Sequence, residues 1–100
     1  MRLKFDTRPY WSVVEDCLVE LHGVDRSEAR KRIKALLAWI ASPPDGVDGE
    51  IVYHDEQFDV ACDLAGNELR YELYQDQYDQ IVERYYPSWR TGMVVRAKPD

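Results

Sequence analysis

A chain of 100 residues with 45% apolar side chains is the size of one domain and has enough apolar surface to fold without disulfide or metal staples. No apolar run approaches the ~18–20 residues that cross a bilayer, so a membrane span is not expected. The net charge of −6 argues against a chain that grips phosphate with its whole surface.

The charge is unevenly laid out. Residues 1–42 carry 8 basic and 6 acidic side chains, residues 43–86 carry 2 and 12, and residues 87–100 carry 3 and 1. A basic first part is therefore followed by a long acidic one. The start, MRLKFDTRPYW, is basic but lacks the apolar stretch of a signal peptide. Cys17 and Cys62 each fall on an apolar helix face and read as reduced, buried thiols. Together these features give the cytoplasm as the expected location.

Arg2 to Asp6 alternates, with Leu3 and Phe5 on one side, and fits a short strand or extended arm. A first helix is expected over about Pro9–His22, with Pro9 in its first turn and a stripe of Tyr10, Val14, Cys17 and Leu21 flanked by Val13 and Leu18. Trp11 lies at the edge of that stripe. Gly23 suits the left-handed position that ends a helix. Asp25, with Glu28 three residues on, has the spacing of a capping box opening a second helix. Ala29, Ile33, Leu36 and Ile40 form its inner face and Leu37 stands beside them. Three intervening residues make the two helices a tight αα-hairpin.

Ser42 to Gly49, SPPDGVDG, is a breaker cluster between the two charge regions, and the loop over 42–50 is too short to divide the chain into two domains. Ile51-Val52-Tyr53 reads as a brief extended stretch. A short helix over Asp55–Ala65 has Phe58, Cys62, Ala65 and Ala61 inside, and Asp55, Glu56, Asp59 and Asp63 outside. Gly66 ends it. Asn67 then caps a fourth helix over Asn67–Tyr86, in which Tyr71, Tyr74, Tyr78, Ile81 and Tyr85 share one side and Glu72, Gln75, Asp76, Asp79, Gln80 and Glu83 the other. Leu69 and Leu73 lie more than about 100° off the tyrosine stripe, so a break near Gln75–Asp76 would bury both sets. After Pro87, Trp89 looks like an anchor, and Met93-Val94-Val95 reads as a strand able to pair with Leu3–Phe5. The expected fold is mostly α: one compact domain of four helices, with a minor pairing of the two ends.

Few constellations carry chemistry. There is no Cys-x-x-Cys, no His-x-x-x-His, no calcium loop and no phosphate-cradling glycine motif, so no metal or cofactor is expected. No serine sits in a nucleophile elbow, and an enzyme would have to centre on His54. The run Leu21-His22-Gly23-Val24-Asp25-Arg26-Ser27-Glu28-Ala29-Arg30-Lys31-Arg32-Ile33 resembles the turn and recognition helix of helix-turn-helix DNA-binding proteins. The resemblance implies that Arg26, Ser27, Arg30, Lys31 and Lys34 face a major groove. Three residues depart from it: His22 is an extra residue before Gly23, Val19 replaces a small side chain, and Arg32 stands where an inward apolar residue is usual.

Seven tyrosines and three tryptophans are a large aromatic load for so small a core, and a phenol ring tolerates a boundary where its hydroxyl stays wet. The leading expectation is therefore a non-catalytic interaction or regulatory protein. It would bind a basic surface of a protein partner through Tyr74, Tyr78, Tyr85, Tyr86 and Trp89 together with Asp55, Glu56, Asp59, Asp63, Asp76, Asp79 and Glu83. A sharper form is an inhibitor that imitates nucleic acid with its carboxylates, as phage-encoded inhibitors do. The helix-turn-helix regulator is the rival reading, with an enzyme third. A monomer or a homodimer paired through the tyrosine seam fits the sequence equally.

Overall fold

The structure, a computed structural model, describes residues 7–86, apart from the side chains of Glu50, Ile51 and His54. The expected pairing of the two chain ends and the position of Trp89 lie outside the described residues. Within them are four α-helices, α1 (Arg8–Glu20), α2 (Arg26–Ala41), α3 (Gln57–Ala65) and α4 (Tyr71–Tyr85), and a 3-10 helix over Gly49–His54.

The first helix is the axis of the fold, because α2, α3 and α4 all pack on it. Its apolar stripe is wider than the sequence spacing suggests. Tyr10, Trp11, Val13, Val14, Cys17 and Leu18 are all buried, the last four without residual exposure. Trp11, expected at the edge, is inside, and its indole N–H donates to the Tyr53 hydroxyl at 3.0 Å. A helix covered on several sides must also find partners for its polar residues, and Asp16 is one of them, only 5% exposed.

The turn between α1 and α2 follows from three residues. Gly23 takes φ 70°, where a side chain would be strained. The Val24 N–H donates to the Leu18 carbonyl at 2.9 Å, and the Asp25 carboxylate accepts from the Ser27 N–H at 3.1 Å and its hydroxyl at 2.7 Å. Glu28 does not return to complete the box by pairing with the cap; its carboxylate accepts from Arg32 Nε at 2.9 Å instead. On α2 only Ala29 and Ile33 are fully buried. Leu36 and Ile40 are half-buried, and Leu37 and Trp39 remain exposed.

Two parts of the second half differ from the sequence expectation. Ile51-Val52-Tyr53 is not extended but forms the middle of the 3-10 helix. The Tyr10 hydroxyl lies 3.0 Å from both the Val52 and the Asp55 carbonyls, so α1 ties down the end of that turn. Asn67 does not cap the fourth helix either. Gly66 ends α3 at φ 73°, and the Asn67 N–H is taken by the Cys62 carbonyl at 3.1 Å, so Asn67 belongs to the end of α3. Residues 67–70 stay non-helical, and α4 opens at Tyr71 and runs unbroken to Tyr85. The non-helical link lets Leu69 pack on the core without sharing a helix with the tyrosine stripe. Leu73 is left outside, 70% exposed.

One apolar cluster joins all of these elements, from Tyr10 on α1 to Ile81 on α4. Cys17 and Cys62 lie inside it as free thiols, with burial pushing the Cys17 thiol up to about 12. Tyrosine also serves as interior material. Phe58, Tyr71 and Tyr78 make a triad of edge-to-face rings with centroids 5.2–5.9 Å apart, and Tyr10, Trp11 and Tyr53 make a second at 4.9–5.8 Å.

Candidate functional site

The electrostatic arrangement begins at Asp16. Its Oδ1 accepts from Arg26 Nη1 at 3.0 Å, and its Oδ2 accepts from Arg84 Nη1 at 3.0 Å and from the Tyr85 hydroxyl at 2.7 Å. One carboxylate on α1 thus engages the first residue of α2 and the last turn of α4. Burial pushes this carboxyl up, but the hydrogen bonds from Tyr85, Arg26 and Arg84 outweigh it and hold it below its ordinary value of 3.8. The neighbouring acids on α1 complete the arrangement. Glu15 Oε2 accepts from Arg26 Nη1 at 2.6 Å and Arg30 Nε at 3.1 Å, while Glu20 takes both Nη atoms of Arg84 at 2.7 and 3.0 Å.

This arrangement alters the standing of the basic face of α2. Of the residues that resemble a recognition helix, Arg26 and Arg30 are turned onto the acids of α1. The Ser27 hydroxyl donates to its own cap, and Lys31 lies 3.7 Å from Glu28. Only Lys34 among the five lacks such an engagement within the described residues. Arg32 is half-buried and donates to the Leu64 carbonyl at 3.0 Å, which explains why an arginine occupies an inward position: it closes the end of α3.

The acidic face is built the opposite way. Asp55, Glu56, Asp59 and Asp63 are all exposed at and along α3, and Glu72, Asp76, Asp79 and Glu83 are exposed along α4. Glu56 accepts the Tyr78 hydroxyl at 3.0 Å, and Glu72 is 4.0 Å from Arg70. Asp55, Asp59, Asp63, Asp76, Asp79 and Glu83 have no cationic partner among the described residues.

No protein family, characterised protein or solved structure matches the chain.

The aromatic members of the expected surface separate into two groups. Tyr78 is only 4% exposed and belongs to the core; burial, followed by the Glu56 charge, raises its hydroxyl pKa well above the ordinary value. It presents no ring face to a partner. Tyr74, Tyr85 and Tyr86 are half-buried, each packed against the core with part of its surface open. Tyr71 and Leu73, which were not among the expected contact residues, are more open than any of them, at 41% and 70%. Leu73 had one signal in the sequence, its position off the tyrosine stripe.

Three other features bear on chemistry. His54 is the last residue of the 3-10 helix, and its side chain lies outside the described residues, so the enzyme reading gains no geometry. No group of three histidine, cysteine or acidic residues among the described residues is arranged to hold a metal ion. His22, at the end of α1, is half-buried with both ring nitrogens lacking a hydrogen-bond partner, and burial lowers its pKa. No helix among the described residues is long and apolar enough to cross a membrane.

Proposed function

We propose that the chain is a non-catalytic interaction protein whose α3–α4 face binds a basic surface of a protein partner. One observation carries this reading. Arg26, Arg30, Arg32 and Arg84 are spent on contacts within the fold, whereas Asp59, Asp63, Asp76, Asp79 and Glu83 are exposed and unpaired among the described residues. A surface ion pair formed within the protein is worth little, so a protein that needed only solubility would lose nothing by pairing these acids. Leaving one sign unpaired over two adjacent helices makes a field that steers a cationic surface and disfavours an anionic one. Tyr74, Tyr85 and Tyr86 along the inner margin, with Tyr71, supply rigid ring area beside the charge.

The same accounting disfavours the DNA-binding regulator. A recognition helix needs its cations free to reach phosphate and base edges, and Arg26 and Arg30 would have to leave Glu15 and Asp16 to do so.

The two readings part in one experiment. Asp76, Asp79 and Glu83 changed to lysine should abolish capture of the partner from a lysate of the native host, and the wild-type protein should not be retained on heparin. Retention on heparin that disappears with Arg30→Glu plus Lys34→Glu, with capture unaffected by the lysine variant, would give the DNA-binding reading instead.

A further inference from the structure

We infer that Glu20, although it stands on α1, determines how strongly α4 attracts a cationic partner, because it cancels the one positive charge that α4 itself carries. The inference rests on the reading of the α3–α4 face given above. Arg84 is the single cation within Tyr71–Tyr85. It follows Glu83 directly, about 100° round the helix, and so stands on the border of the stripe that holds Asp76, Asp79 and Glu83. Its side chain is 43% exposed, and left alone its charge would offset one of those carboxylates.

Glu20 removes that charge from the field. Its two carboxylate oxygens accept from Arg84 Nη1 at 2.7 Å and Nη2 at 3.0 Å, a two-pronged pairing across 64 positions. Asp16 also accepts from Arg84 Nη1, at 3.0 Å, but shares its charge with Arg26. With Glu15 held by Arg26 and Arg30, three carboxylates on α1 face three guanidinium groups, and the network as a whole is neutral. Glu20 is the exposed acid of the three, and Arg84 is its one cation among the described residues. It can therefore be neutralised without emptying a buried site.

An ion pair at such a position adds little to stability, so its consequence lies in the field. With Glu20 uncharged, Arg84 becomes a net positive charge beside Glu83, well inside the screening length of ~10 Å at 0.1 M salt. The other end of α4 lacks this device. Arg70, just before the helix, lies 4.0 Å from Glu72, and both side chains are about three-quarters exposed. A cationic surface is therefore drawn to the end that holds Asp76, Asp79 and Glu83.

Fluorescence anisotropy of a labelled decalysine peptide titrated with the whole chain at low salt tests this, with the helical content of each variant checked by circular dichroism. Glu20→Gln keeps the shape and an oxygen that accepts from Arg84 but removes the charge, and it should weaken binding by about threefold or more. Asp45→Asn makes the same change in net charge in the loop after α2 and should change binding less than about twofold. Glu20→Gln combined with Arg84→Gln has no pairing at all yet the wild-type net charge, and it should recover the wild-type affinity. A contact that merely held the helices together would leave this double variant as weak as the single one. Binding unchanged by Glu20→Gln, or no recovery in the double variant, overturns the inference. Asp76, Asp79 and Glu83 changed together to lysine separates the two levels. Binding lost in that variant but unaffected by Glu20→Gln overturns the role of Glu20 alone, whereas binding that survives the three lysines overturns the reading of the face and this inference with it.

Discussion

The Tyr85 hydroxyl donates to Asp16 Oδ2 at 2.7 Å, joining residues 69 positions apart. Asp16 also accepts from Arg26 and Arg84, so a single buried carboxylate gathers donors from two helices onto a third. Removing the carboxylate leaves two guanidinium groups and a phenol without their shared acceptor, which is costlier than losing the attraction alone. Asp16→Ala should lower stability by about 2–4 kcal/mol in urea denaturation, and Tyr85→Phe by about 1–2 kcal/mol. A loss below about 0.5 kcal/mol for Asp16→Ala would mean that the network is ornamental.

The pH dependence on acidification falls in two windows, an upper one from His22 and a lower one shared by Asp16, Asp25 and Glu28, whose carboxyls are all held below their ordinary values. His22 has its pKa lowered below the ordinary 6.5 by burial, so the unfolded chain takes up its proton first and stability falls as pH drops below about 6.5. Asp16 is held below its ordinary 3.8, so its contribution is complete above that pH and is lost as pH falls through the lower folded value. Stability measured by urea midpoint should therefore decline in two stages on acidification. His22→Leu should flatten the upper stage and leave the lower, and Asp16→Asn should shrink the lower, to which Asp25 and Glu28 also contribute, and leave the upper.

Gly49 is buried where the loop after α2 returns against that helix. A Cβ placed there would lie 2.9 Å from Ile40 Cα and closer still to the Ile40 carbonyl oxygen, all of it backbone that cannot rotate away. Gly49→Ala should cost about 1–3 kcal/mol. Gly23, at φ 70° with nothing within 4 Å of its virtual Cβ, should lose about 1 kcal/mol on change to alanine, from backbone strain alone. A Gly49→Ala variant that unfolds at the wild-type urea midpoint would contradict the clash with Ile40.

The two faces of α4 should respond differently to truncation. Ile81 is 1% exposed and Leu73 is 70% exposed. Ile81→Ala should cost about 2–5 kcal/mol, while Leu73→Ala should stay within about 0.5 kcal/mol in chemical denaturation of dilute protein.

What the sequence discloses here is local. The αα-hairpin follows from Gly23, Asp25 and two apolar stripes, each readable within a few residues, and Gly66 marks the end of α3 in the same way. The start of α4 was misplaced because Asn67 looks like a cap in isolation, while its N–H is claimed by Cys62 of the preceding helix. The Asp16 network was invisible for a different reason. A carboxylate among Val13, Cys17 and Leu18 hints at a buried charge, but its partner Arg84 is 68 positions away and reads as one cation on an acidic helix. The expected site divides along the same line. The outward positions of Asp76, Asp79 and Glu83 follow from helical spacing, whereas the burial of Tyr78 depends on Phe58 and Tyr71 closing over it.

The most direct test of the binding account is carbodiimide footprinting of carboxylates in the free protein and in the complex captured from the native host. Modification of Asp76, Asp79 and Glu83 should fall several-fold on binding, while that of Asp45, exposed in the loop after α2, should not change. Equal modification of the three α4 acids in both states would contradict the account.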